Sequence, residues 1–277
     1  TNVLKKNLAS IITAIGLDHL DWLPKEEQTI EKIIFEKTSN LLNSKIIIAK
    51  QSSNQISKNI ENTIKNNTSK KIIFDKNYSF CLKEKNFFYF EDEFGDLELP
   101  MPNLNGKFQL ENVSTAIVAA RQLTGYKITE EHIKNGITKI ESIGRLQELK
   151  SGKLKNLTKN NLLFVDGSHN PLGAKVLNEY LQTLNCRKHI ILGMMNNKDH
   201  NKYMSYFQNI ESLTTIDIPN QPNAILGNKL KEKIKNFENT KYQASIEKAI
   251  TSIDLKKNDI ILITGSLYLA GEVLNLN

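Results

Sequence analysis

The apolar residues of this chain fall into short runs separated by stretches with helical spacing. Residues 8–15, rich in β-branched side chains and closed by Gly16, read as a buried strand. Residues 26–42 follow with helical periodicity, placing Ile30, Ile33, Ile34 and Lys37 near one face. A second buried strand is predicted at 45–49, a helix at 57–64 and a third strand at 71–74. The period then drops to two: 78–82 and 87–90 alternate as antiparallel strands do, and 91–99 continues the meander. Helical spacing returns at 109–123, and Thr129 is placed to cap a helix running to residue 140.

The second half is more regular. Strands at 162–165, 189–192, 213–218 and 260–264 alternate with helices at 172–184, 200–207, 224–236, 245–252 and 267–274. That alternation implies a mostly parallel, doubly wound sheet, whose ligands gather at the carboxyl ends of the strands. The fold class is therefore α/β. The division between domains is expected at about Ser142 to Arg145, giving domains of 1–143 and 144–277.

Composition narrows the function. The chain has 277 residues, 39% of them hydrophobic and 24% charged, values of a folded globular protein. Its net charge of +7 is spread along the chain, with no run resembling a nucleic-acid arm, so an anionic small substrate is the better reading of the charge. Two distant cysteines, Cys81 and Cys186, form neither a metal spacing nor a disulfide framework, which suits a reducing cytoplasm. No apolar run approaches the roughly 20 residues of a membrane span. The sequence starts with Thr1 rather than Met and enters almost at once on a structured segment, as expected of a truncated start.

Four segments collect polar residues where strands end. In Gly16-Leu17-Asp18-His19-Leu20-Asp21-Trp22, His19 suits either a metal ligand or a capping or core histidine. In Phe35-Glu36-Lys37, a lysine on the inner helix face would lose solvation and could form a carbamate with CO2; the alternative is snorkelling to the surface. In Asp166-Gly167-Ser168-His169-Asn170-Pro171, Asn170 suits an N-cap and Pro171 the first helical position. Asp166 and His169 then flank a helix N-terminus that favours anions, or simply belong to a polar loop. Thr264-Gly265-Ser266-Leu267-Tyr268 is again strand, small-residue turn and helix.

Taken together and in this order, with Thr1-Asn2-Val3 and Gly144-Arg145, these segments resemble folylpolyglutamate synthase, including its bifunctional dihydrofolate synthase form, in the Mur ligase superfamily. The resemblance implies the remainder of an ATP-binding central domain followed by a Rossmann-like C-terminal domain. It implies a cytoplasmic, monomeric, ATP- and Mg2+-dependent ligase of folate biosynthesis, adding L-glutamate through an acyl phosphate to reduced folates, to dihydropteroate or to both. By resemblance His19 is a metal ligand, Lys37 a carbamylated lysine at the metal cluster, and Asn112 a residue near the nucleotide. Arg145 and Asp166 contact ATP, His169 lies beside the phosphates, and Ser266 borders the incoming glutamate.

The chain also departs from the pattern. Thr38-Ser39 stands where Ala-Gly is usual, and Asn197-Lys198-Asp199 where Asp-Lys-Asp is. Insertions occur around 24–27 and around 154–160, the latter expected as a longer hairpin. The phosphate loop and metal-binding Glu of the family lie upstream of the residues matching Thr1-Asn2, and no Gly-x-x-x-x-Gly-Lys-Ser/Thr occurs in the sequence. The rival readings are an inactive remnant of such a ligase and a Mur ligase of cell-wall peptides.

Overall fold

The computed structural model describes residues 4–17, 23–42, 44–83, 86–235, 237 and 239–277. The chain forms two compact units, Thr1–Asn103 with Lys107–Glu141, and Leu104–Gly106 with Ser142–Asn277.

In the first unit β1 (Ala9–Ile12), β2 (Lys45–Ile48) and β3 (Lys71–Ile73) pair in parallel in that order. The crossovers are α1 (Ile30–Thr38) and α2 (Asn54–Thr63). Each starts where a hydroxyl takes an orphan backbone donor: Thr29 accepts from the Lys32 N–H and Ser53 from the Ile56 N–H. This cap is why α1 begins later than its periodicity suggested, after a 3-10 turn at Lys25–Glu27. Ile33, Ile34 and Ile60 of the helices pack on Ile12, Ile46 and Ile48 of the sheet.

An antiparallel meander follows, β4 (Tyr78–Leu82), β5 (Phe87–Asp92) and β6 (Gly95–Pro100), with Phe88, Phe90, Leu97 and Leu99 turned inward at every second position. Two further helices are α3 (Phe108–Arg121) and α4 (Glu130–Thr138), the latter opened by a Thr129–His132 capping box. Tyr78 joins β2 to α3: its hydroxyl donates to the Ile48 carbonyl (3.1 Å) and lies 3.2 Å from Thr115 Oγ1. Burial pushes this phenol up to about 12.

The second unit contains β7 (Gln147–Glu148), α5 (Lys153–Asn156), β8 (Leu162–Val165), α6 (Pro171–Gln182), β9 (Lys188–Leu192) and α7 (His200–Met204). It continues with β10 (Ser212–Ile216), α8 (Gly227–Lys233), β11 (Lys241–Gln243), α9 (Ile246–Thr251), β12 (Ile260–Thr264) and α10 (Leu267–Leu276). Its sheet runs in the order β11-β10-β9-β12-β8-β7, parallel except for the β7–β8 pair.

Alternation along the strands supplies two apolar faces, as a doubly wound sheet requires. Leu163, Val165, Ile191, Ile261 and Ile263 pack with Ile250 of α9 and Leu269 and Val273 of α10. Phe164 points the other way, edge-on to Tyr180 of α6 at 5.9 Å. The insertion expected as a hairpin is instead the short helix α5. Asn277 holds it: its carbonyl accepts from the Lys153 N–H (2.8 Å), and its Oδ1 from the N–H groups of Leu154 and Lys155 (3.1 Å each).

Two buried histidines make the second unit acid-sensitive. His189 Nδ1 is 2.7 Å from Ser212 Oγ and its Nε2 3.2 Å from Asp259 Oδ2, while His200 Nε2 lies 3.0 Å from the Met195 carbonyl. Burial lowers both below the ordinary 6.5. Unfolded histidines bind protons at 6.5 and the folded ones only below it, so their contribution to stability is complete above that pH and is lost as pH drops through it. Urea midpoints at about pH 7.5 and about pH 5.5 measure the loss; equal midpoints would contradict it.

Candidate functional site

The carboxyl ends of β8, β12 and β9 adjoin in the second unit, and the loops that leave them are laced together. After β8 the Asp166 N–H donates to the Ile263 carbonyl of β12 (2.9 Å), and the Gly167 N–H donates to the Gly144 carbonyl (2.7 Å). The Asp166 carboxylate completes the lacing: Oδ2 accepts the Leu146 N–H and Oδ1 the Ser168 N–H, both at 2.7 Å. Leu146 sits at φ +46°, a conformation a leucine adopts only when its surroundings impose it. Asp166 is 3% exposed, and desolvation raises its pKa although the Ser168 and Leu146 N–H groups and the Arg145 charge pull it down. The sequence leads one to expect a ligand-facing carboxylate; the structure shows one whose two oxygens are engaged within the unit.

Arg145 stands between Gly144 and Leu146 in the turn that Asp166 fixes, with its side chain exposed. Ser168 starts a buried chain of hydroxyls, 3.2 Å to Tyr203 and 2.8 Å from Tyr203 to Thr264 Oγ1, linking the ends of β8 and β12 through α7. Burial pushes the Tyr203 phenol up. His169 is half-buried, its Nδ1 3.3 Å from the Gly167 carbonyl. Asn170 caps α6 by accepting the Gly173 N–H (2.8 Å), with Pro171 in the first turn.

Beside it, Gly265 turns the chain at φ +109° onto Ser266, the N-cap of α10. The Ser266 side chain accepts the Tyr268 N–H (3.1 Å) and the residue is 2% exposed, so its evident role is to cap α10. Ser266→Ala is expected to cost about 1 kcal/mol. A thermal melt measures it, and an unchanged midpoint would show that the cap contributes nothing.

Arg145, Asp166, His169 and Ser266 thus meet at one end of one sheet. The remaining candidates lie in the first unit. Asn112 is exposed on α3 and donates to Gln109 Oε1 (3.1 Å). Lys37 corrects an expectation: it is exposed rather than desolvated on the inner face, because the inward place in that turn goes to Thr38, whose hydroxyl bonds the Ile34 carbonyl (2.8 Å). His19 lies outside the described residues. Among the described residues no group of three or more His, Cys, Asp or Glu side chains could hold a metal ion, and an uncarbamylated Lys37 has only donors to offer. No helix among the described residues is long and apolar enough to cross a membrane. Leu146 and Tyr203 escape a reading of the sequence, because they act through a backbone N–H and a buried hydroxyl that carry no motif.

Residues 144–267 match the Mur ligase, glutamate ligase domain family, so the second unit has the fold and the sequence signature of a Mur ligase C-terminal domain. Beyond that segment, similarity to folylpolyglutamate synthases runs over nearly the whole chain. It is 25% identical over 290 residues to dihydrofolate synthase/folylpolyglutamate synthase of Haemophilus influenzae, a match covering 98% of this chain and 64% of that protein. The fold is shared with Escherichia coli FolC in complex with DHPP and ADP, at TM-score 0.78 and 23% identity over 96% of this chain and 60% of that one. It is also shared with the Yersinia pestis bifunctional folylpolyglutamate synthase/dihydrofolate synthase complexed with AMPPNP and Mn ion, at TM-score 0.79 and 20% identity over 97% of this chain and 61% of that one. The chain thus spans less than two thirds of the length of these relatives.

Proposed function

We propose that this chain supplies the glutamate-ligase domain and part of the ATP-binding domain of an ATP-dependent ligase that adds L-glutamate to folates, with dihydropteroate as a further acceptor. The observation that carries the proposal is the laced cluster at the carboxyl ends of β8 and β12, which sets Arg145 beside Asp166 at the start of the family match. An arginine held by its backbone and exposed at its guanidinium suits a bidentate phosphate contact. Close by, the N-terminus of the twelve-residue helix α6 favours an anion, and half-buried His169 precedes its cap. The relatives solved with ADP or AMPPNP support a nucleotide as that anion.

The reaction that fits is attack of the acceptor's carboxylate on the γ-phosphate of ATP. The resulting acyl phosphate is displaced by the glutamate amine with loss of phosphate. In it the chain's own groups position and neutralise charge rather than bond covalently. Arg145 holds phosphate, Asp166 holds the turn that presents Arg145, and Ser266 fixes the start of α10. A divalent metal would supply charge neutralisation at the phosphates when bound.

The test is to express the uninterrupted reading frame containing this chain and to follow addition of one glutamate to dihydropteroate and to tetrahydrofolate by mass spectrometry. ATP-dependent product is expected, reduced on the order of 100-fold by Arg145→Ala. No product with either acceptor would overturn the ligase reading, and full activity of the variant would remove Arg145 from the site.

A further inference from the structure

At the amino-terminal end of the same sheet, opposite the candidate site, lies a cavity of about 560 Å3 that the ligase reading does not use. His189 on β9 and Ser212 on β10 are cross-strand partners and line it together. Ser212 Oγ is 2.7 Å from His189 Nδ1, and His189 Nε2 is 3.2 Å from Asp259 Oδ2, just before β12. Asp259 is itself fixed by Arg187, whose Nε and Nη2 donate to its two oxygens at 3.1 and 2.7 Å, and by the Lys256 N–H at 2.7 Å. The histidine and the carboxylate are both 2% exposed. The Ser212 side chain faces the cavity, whose wall also carries Thr214, Thr240, Lys241, Ser252 and Asp254.

A hydroxyl bonded to one imidazole nitrogen, whose other nitrogen is held by a carboxylate, is the arrangement that activates a serine as a nucleophile. We propose that Ser212, His189 and Asp259 form a second reactive site, in which Ser212 attacks small carboxylic esters entering this cavity. Ser212 Oγ bonds the ester carbonyl carbon as its proton passes to His189 Nδ1. The ester C–O bond breaks, and the departing alkoxide takes that proton. Water then enters, giving its proton to Nδ1, and releases the acid with restoration of the Ser212 hydroxyl. Asp259 accepts the Nε2–H throughout and holds the ring in the tautomer that leaves Nδ1 free to accept. The charges that set this titration are Asp259, Arg187 and Glu211, each just ahead of a strand, with Lys241 and Asp254 across the cavity. Burial keeps the imidazole neutral at pH 7, and Asp259, which burial alone would raise, is held at about 2 by Arg187, the Lys256 N–H and His189.

The experiment treats the full chain with a fluorophosphonate ester, in which the P–F bond breaks, an Oγ–P bond forms and fluoride leaves. Peptide mass mapping locates the adduct, and nitrophenyl acetate reports ester cleavage. A Ser212 adduct and nitrophenolate release are expected, both lost in Ser212→Ala and slowed at least about ten-fold in His189→Asn. In the wild-type chain the labelling rate rises as His189 loses its proton, with its midpoint below 6.5, and is level at neutral pH. A cooperatively melting wild-type chain without that adduct would overturn the proposal. Labelling indifferent to pH across the histidine range, or ester cleavage unchanged in Ser212→Ala, would do so equally. The wild-type pH profile and the Ser212→Ala result stand even if His189→Asn fails to fold.

Discussion

A Gly265→Ala chain is expected to lose roughly 2–6 kcal/mol of stability, much of the 5–15 kcal/mol that a folded domain has. Gly265 sits at φ +109°, where L side chains carry about 1–3 kcal/mol of strain. The new methyl carbon would also lie 2.6 Å from the Gly193 carbonyl oxygen and 2.8 Å from both Leu192 Cδ1 and Met194 Cγ. The first of these is backbone, tied to β12 by the Gly193 N–H bond to the Thr264 carbonyl (3.2 Å), so it cannot swing away as a side-chain end would. Relieving such overpacking costs about 1–3 kcal/mol more. Urea unfolding followed by far-ultraviolet circular dichroism measures the effect. A midpoint within about 0.3 M of wild type would show that the turn accepts a side chain and that the Gly193 backbone yields to it.

Asp166→Ala is expected to be nearly as damaging and to have a functional consequence. It leaves the buried N–H groups of Leu146 and Ser168 without acceptors, at about 1–3 kcal/mol each. It also frees the turn that holds Leu146 at positive φ, so Arg145 is no longer presented in one orientation. Asp166→Asn separates the two effects: one amide oxygen still accepts, while the amide NH2 opposes the other N–H. Stability should fall in the order wild type, Asn, Ala. In the uninterrupted reading frame, KM for ATP should rise in the same order. If both variants melt with the wild type, Asp166 does not hold the turn. If they are destabilised while KM for ATP is unchanged, the turn does not serve the nucleotide.

How much of this is readable from sequence depends on the range of the interaction responsible. Helix starts at Thr129, Asn170 and Ser245 are legible because a cap needs only a side chain and the N–H a few residues on, as with Asn170 and Gly173. The strands of the second sheet are legible as β-branched runs, since a strand buried on both faces has no polar positions to break it. The Asp166–Pro171 segment and Thr264–Tyr268 stand out in the sequence as polar, small-residue turns where strands end, while Gly144-Arg145 stands out as the division between domains. Too short to show a period, β7, β11 and α5 do not; α5 also depends on Asn277 at the far end of the chain.

The α/β class, the alternation of strand and helix, the caps and the motifs at the ends of β8 and β12 are all set locally. Each follows from forces acting within a few residues, namely steric preference, backbone hydrogen bonding and the period of apolar burial. Long-range packing, by contrast, turns Lys37 out and Thr38 in, and buries Asp166 with both oxygens engaged. It also brings Ser212 and His189 onto one cavity with Asp259 behind them, through a strand order that inserts β12 between β8 and β9. Those outcomes depend on which distant strands pair and in what register, and that is fixed only when the two apolar faces of the whole sheet are buried together.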